Sequence, residues 1–147
     1  MKVMVSNEIE QVCPTFVGAC VEADVESLVR DCMSATPMFF DGGGVTLTGG
    51  EVCMQLPSVK ELLTRLGAHG IHRAIETNGS IPRAAELIPL VDEWIMDFKH
   101  YDDSKHRKWL GVGSSPVLET LKVEVVETVL LVQHIDHTLF DGLDDND

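Results

Sequence analysis

Ten residues constrain this chain more than any others: Gly42-Gly-Gly-Val-Thr-Leu-Thr-Gly-Gly-Glu51. The middle of the string, from Gly44 to Thr48, is β-branched and apolar and predicts a short buried strand. Glycines bracket it on both sides. Gly49 and Gly50 carry no Cβ, so the backbone there can turn sharply and a ligand can come close to it. Glu51 then sets a carboxylate at the mouth of the strand. A strand that ends in Gly-Gly-Glu and runs on into a helix is how an α/β protein forms a site for a small polar ligand. Glycine pairs by themselves punctuate loops in any protein; the ten-residue string is more specific than a pair.

The same pattern recurs twice downstream. Residues 73–79 predict a second strand whose exit gathers Glu76, Thr77 and Asn78, with Asn78-Gly79 alone readable as a plain turn. Residues 93–99 predict a third, in which Asp97 and Lys99 alternate with apolar neighbours and share a face. An Asp and a Lys aimed at one pocket suit a zwitterion such as an amino acid, and an ordinary surface ion pair is the plainer alternative. Between the strands the spacing predicts helices. Residues 24–33 are capped by Asp24, with Val25, Leu28, Val29 and Cys32 on one face. Ser58 and Glu61 form a capping box before the stripe Val59, Leu62, Leu63 and Leu66, which Gly67 or Gly70 ends. Residues 82–91 follow with Pro82 in the first turn, then 102–110 and 115–122. Residues 1–5 read as a short strand, and 123–131 as strand or helix. Met38, Phe39 and Phe40 are expected to pack under the sheet edge. This alternation predicts an α/β fold in which strands near Val45, Ile75 and Ile95 are parallel neighbours in that order. Glu51, Thr77 and Asp97 should then converge on one rim.

Composition narrows the function classes. The 147 residues carry a formal net charge of -13, which argues against a nucleic-acid partner. Hydrophobic residues make up 44%, enough for a folded core. No apolar run is long enough to cross a bilayer and no signal peptide is visible, so a cytoplasmic protein without a membrane partner is expected. Cys13, Cys20, Cys32 and Cys53 are too few and too scattered for a disulfide framework. The pairs His69/His72 and His134/His137 lack the further ligands a metal site needs.

The ten-residue string closely resembles the matching segment of the activating enzymes of glycyl radical enzymes, of the pyruvate formate-lyase activating type, which are radical S-adenosylmethionine (SAM) proteins. The resemblance runs on through the aromatic pair Phe39-Phe40 before the glycines, Glu76-Thr-Asn-Gly79, Asp97-x-Lys99, and the string from Lys99-His100 through His106 to Gly111-Val112. It covers about residues 35–122. Val52 stands where the family often has Pro. What it implies is a partial parallel (β/α) radical SAM-type barrel of about three to four βα units. Residues 1–34 would be a remnant of the region before the barrel core, and 123–147 a divergent segment with an acidic tail. It also implies that Gly49, Gly50, Glu51, Glu76, Thr77, Asp97 and Lys99 hold SAM, the backbone at Gly-Gly-Glu taking its amino group. Cys13-Pro14 is similar to the end of a ferredoxin-type cysteine run, which makes Cys13 a weak candidate metal ligand.

In that family three thiolates of Cys-x-x-x-Cys-x-x-Cys hold a [4Fe–4S] cluster, SAM binds its open iron, and reductive cleavage gives a 5′-deoxyadenosyl radical. The radical takes a hydrogen atom from a glycine of the partner, a glycyl radical enzyme, with a flavodoxin-type protein as reductant. The four cysteines here are separated by six, eleven and twenty residues, so the motif is absent from this sequence. The expectation is therefore the central part of an oxidoreductase of this family, inactive as it stands and not ligating the cluster. The alternative is a non-catalytic α/β module binding a nucleotide-like small ligand.

Overall fold

The structure is a computed structural model that describes residues 2–6, 20–124 and 129–134. It opens with an antiparallel pair, β1 (Lys2–Ser6) and β2 (Cys20–Asp24), in register from Lys2 opposite Asp24 to Ser6 opposite Cys20. The chain then enters α1 (Val25–Ala35), whose cap is Asp24: its Oδ1 accepts from the Ser27 amide at 3.0 Å. Val25 and Val29 are buried, as the stripe predicts. After a 3-10 turn (Thr36–Met38), only Phe39 of the three expected residues packs inward. Met38 and Phe40 stay 73% and 81% exposed, because the turn throws alternate side chains outward.

The central strand is β3 (Gly44–Leu47). Gly44 is required there: a Cβ would sit 2.0 Å from the His72 carbonyl oxygen. A 3-10 turn (Val52–Gln55) leads into α2 (Leu56–Ala68), followed by β4 (His72–Thr77). Helix α2 begins earlier than the capping box predicts. Pro57 sits in its first turn, where the missing N–H costs nothing, Ser58 is buried inside the helix, and Glu61 faces Arg65 one turn on at 3.8 Å. Gly70, with φ +70°, makes the turn that leads out of it. The expected helix after β4 is wound as a 3-10 helix (Pro82–Leu90) and holds Pro89, which has no N–H to give to an α-helical ladder. Then come β5 (Glu93–Phe98), α3 (Asp103–Leu110, capped by Asp102 and ended by Gly111 in the left-handed conformation), α4 (Ser114–Glu124) and β6 (Val129–His134). Of the ambiguous stretch after residue 122, the described parts are the end of a helix to Glu124 and a strand from Val129.

Strands β3, β4, β5 and β6 form one parallel sheet in that order. The register stacks Leu47 beside Ile75 and Ile75 beside Trp94. Two apolar clusters hold it. In one, Leu63, Ile75, Leu87 and Trp94 are fully buried between α2, the 3-10 helix and the sheet; in the other, Leu62 and Leu66 of α2 meet Val25 and Val29 of α1. Each such side chain contributes about 1.5–3 kcal/mol by leaving water, so α2 is the pin between both clusters. On the sheet, Ile75 and Met96 are fully buried, and Leu47 and Phe98 half-buried. Val117 of α4 and Met96 converge on Gly79, which shows where the cover comes from. No helix among the described residues is long and apolar enough to cross a membrane.

Candidate ligand site

Parallel strands deliver their C-terminal ends to one rim. Here β3, β4 and β5 deliver a cavity of about 220 Å³ lined by Thr48, Gly49 and Gly50 from the first exit, Glu76, Thr77 and Asn78 from the second, and Asp97 from the third. Gly49 and Gly50 both adopt positive φ, +88° and +58°, a path closed to most side chains. The glycine pair thus makes a wall of bare backbone.

Opposite stand carboxylates. Glu76 Oε2 accepts from the Thr48 hydroxyl at 2.5 Å, closing the β3–β4 side. Asp97 Oδ2 pairs with Lys99 Nζ at 2.5 Å, while its Oδ1 is buried without a protein hydrogen-bond partner. Thr77, 3% exposed, is the hub: its hydroxyl donates to Glu51 Oε1 at 2.8 Å and accepts from the Gly79 amide at 3.1 Å. Glu51 is not a lining residue but bonds to two residues that are, Thr77 and Asn78. It also takes the Cys53 amide on Oε1 and the Asn78 amide on Oε2, both at 3.0 Å.

Five of the seven expected site residues, Gly49, Gly50, Glu76, Thr77 and Asp97, line the cavity. Glu51 and Lys99 stand one step behind, against Thr77 and Asp97. Thr48, counted from sequence as strand interior, is a lining residue too. Its place next to the glycine pair is the signal that marks it. Three carboxylates and one ammonium surround the site, a balance that favours a cationic group in the cavity. Glu76 and Asp97 set two of these carboxylates in the cavity lining itself.

Neither Cys32 nor Cys53, the cysteines whose side chains are described, fits an iron–sulfur cluster. Cys53 is buried with its Sγ 3.8 Å from the Thr77 hydroxyl. Cys32 is half-buried on α1; burial, aided by neighbouring Asp31, pushes its thiol above the usual range and so disfavours the thiolate a metal needs. Cys13 lies outside the described residues. Among the described residues no three His, Cys, Asp or Glu side chains are grouped to hold a metal ion.

A second hollow lies at the opposite end of the strands, beside Gly67, Gly70 and His72. The Arg73–Asp92 ion pair occupies its wall, with both guanidinium contacts at 2.9 Å. It is structural.

No protein-family model matches the chain. It is 36% identical over 130 residues to the pyruvate formate-lyase 2-activating enzyme of Escherichia coli (strain K12), covering 84% of this chain and 44% of that protein. It is 29% identical over 135 residues to the pyruvate formate-lyase-activating enzyme of Staphylococcus epidermidis, covering 85% and 53%. The chain therefore spans about half the length of the curated relatives it matches. In fold it is similar to the crystal structure of a domain of pyruvate-formate lyase-activating enzyme from Bacteroides vulgatus, with a TM-score of 0.55 and 24% identity over 63% of this chain and 60% of that one.

Proposed function

Because the chain is homologous to the pyruvate formate-lyase-activating enzymes over most of its length, we propose that it supplies the SAM-holding strand exits of a radical SAM activase that acts on a glycyl radical enzyme, with a flavodoxin-type reductant. The observation that carries this reading is the convergence of a bare Gly49-Gly50 backbone with the Glu76 and Asp97 carboxylates on one cavity. These groups suit the ammonium of an amino acid. The glycine turn lets it approach the backbone, and Glu76 and Asp97 balance its charge. Lys99 is ion-paired with Asp97 at the edge of this wall. A cavity of about 220 Å³ is below the usual size for a drug-sized ligand, roughly 300–1,000 Å³. It takes the methionine part of SAM and leaves the adenosine uncovered. Neither Cys32 nor Cys53 fits the cluster, so no redox step is assigned to these residues.

The test is calorimetric titration with SAM, L-methionine and 5′-methylthioadenosine, which lacks the amino-acid part. SAM and methionine should bind weakly, and methylthioadenosine at least about tenfold more weakly still, the difference left by losing a charge-assisted contact. Tighter binding of methylthioadenosine than of SAM would refute this site and favour the nucleotide-binding module.

A further inference from the structure

Gly-Gly-Glu places a carboxylate next to the cavity, yet that carboxylate is fully engaged by its own chain. Three donors converge on it: the Thr77 hydroxyl at 2.8 Å, and the Cys53 and Asn78 amides at 3.0 Å each. The first two meet Oε1 and the third meets Oε2. Thr77 and Asn78 belong to the β4 exit; Glu51 and Cys53 follow the glycine pair after β3. Glu51 does not line the cavity, whereas Gly49, Gly50, Thr77 and Asn78 do. Two of its three contacts, from Thr77 and Asn78, therefore cross from one wall of the cavity to the other, while the Cys53 amide fixes the carboxylate to its own turn.

We infer that Glu51 is a positioning residue that clamps the β3 exit to the β4 exit and sets the gap between the glycine wall and the Thr77 wall, instead of touching the ligand itself. The donor count explains why the residue must be a carboxylate. All three partners are donors, and a carboxylate offers two acceptor oxygens. A glutamine offers one oxygen and an NH₂ group, so either orientation sets a donor against a donor and leaves a backbone N–H unpaired. An aspartate is one methylene shorter and cannot span both exits. Thr77 extends the clamp inward, since its hydroxyl passes the restraint on to the Gly79 amide at 3.1 Å. The ligand affinity invoked here rests on the SAM-site reading above; the clamp itself does not.

The experiment compares the unsubstituted chain with Glu51→Gln, Glu51→Asp, Thr77→Val and Thr77→Ser by amide NMR, amide exchange and SAM titration. For Glu51→Gln and Glu51→Asp, the Gly49 and Gly50 cross-peaks should move and exchange at Cys53 or Asn78 should quicken about tenfold. Leu63 in the middle of α2 should keep its protection. SAM affinity should fall about tenfold in the same variants. Thr77→Val should move the same cross-peaks and quicken Gly79, and Thr77→Ser should restore them, which decides the matter even if the Glu51 variants do not fold. Unmoved Gly49 and Gly50 peaks in every folded variant would overturn the clamp, whether or not SAM binds. Weakened SAM binding in Glu51→Gln with Cys53 and Asn78 still protected would overturn it in favour of direct ligand contact. No SAM binding by the unsubstituted chain would refute the site reading alone, and the exchange and cross-peak results would still judge the clamp.

Discussion

At the scale of single residues, polar groups here are placed in pairs that cross between elements. Arg73 and Asp92 show it at the end of the sheet away from the cavity. Asp92 Oδ2 takes both the Arg73 amide and Nε, at 2.8 and 2.9 Å, and Oδ1 takes Nη2 at 2.9 Å. The side chains are 16% and 35% exposed, so the pair is partly screened by solvent. The Arg73 hydrogen bond, against an opposing cost of burial, holds the Asp92 carboxyl below its ordinary value of 3.8. The sign follows from linkage: a depressed folded-state value stabilises fully above 3.8 and is lost as pH falls through the lower one. Asp92→Asn should therefore destabilise by about 1–2 kcal/mol near neutrality, discounted for exposure. That gap should shrink in urea titrations at about pH 3. A gap of equal size at both pH values would show that the loss is one of packing rather than charge. Asp24, Asp102 and Asp103 are also held low, so the variant reduces the acid sensitivity of the fold without abolishing it.

At the scale of elements, α4 is fastened to the rim by a hydrogen bond as well as by the packing of Val117. The buried Thr120 hydroxyl lies 2.9 Å from the Gly79 carbonyl and 3.0 Å from that of Pro116, and its single hydrogen is shared between them. Gly79 is the residue that turns the chain out of β4, with φ +67° and with Met96 and Val117 close to where a Cβ would stand. Thr120→Val should leave the Gly79 carbonyl without its partner and cost about 1–3 kcal/mol. Thr120→Ser should cost much less, as read from denaturant midpoints; equal losses would locate the effect in the methyl group. None of this contact is visible in sequence, because its partners are 41 residues apart. What sequence shows well is whatever is local. The apolar stripes of α1 and α2, the Asp24 cap and the order of β3, β4 and β5 all follow from short-range patterns. The false capping box at Ser58 arose because Pro57 starts the helix as well as any cap does. The 3-10 winding of Pro82–Leu90 escaped because period alone does not separate it from an α-helix once Pro89 weakens the ladder. The pairing of β1 with β2 is not legible because its partners, from Ser6 opposite Cys20 to Lys2 opposite Asp24, are distant in sequence. The site divides the same way. Its glycines and carboxylates stand out in the chain, but which carboxylate faces the cavity depends on donors that β4 brings from 26 residues away.

At the scale of the molecule, four parallel strands with one shared rim form part of an open sheet, and the rim concentrates binding groups without electron carriers. The final prediction follows from that separation: these 147 residues should hold SAM weakly and leave it uncleaved. Breaking the sulfonium bond to give methionine and a 5′-deoxyadenosyl radical takes one electron, and in radical SAM chemistry an iron of a thiolate-held cluster supplies it. Cys53 is sealed under the Glu51–Thr77 contact, and Cys32 projects from a packed face of α1 with its thiol pushed up by burial. Cys20 sits in β2, on the hairpin that precedes α1. The described cysteines thus belong to separate elements, and no grouping of ligands joins them. Anaerobic reconstitution with iron and sulfide, followed by dithionite and SAM, should yield no 5′-deoxyadenosine above a no-protein control and no [4Fe–4S] signal in electron paramagnetic resonance. Adding the Cys-x-x-x-Cys-x-x-Cys segment of a relative ahead of this chain tests the other half of the argument. Cleavage should then appear, and should fall when Asp97→Asn removes the charge proposed to face the SAM ammonium. Deoxyadenosine from the chain alone would place cluster ligation within these residues and overturn the division of labour between rim and thiolates.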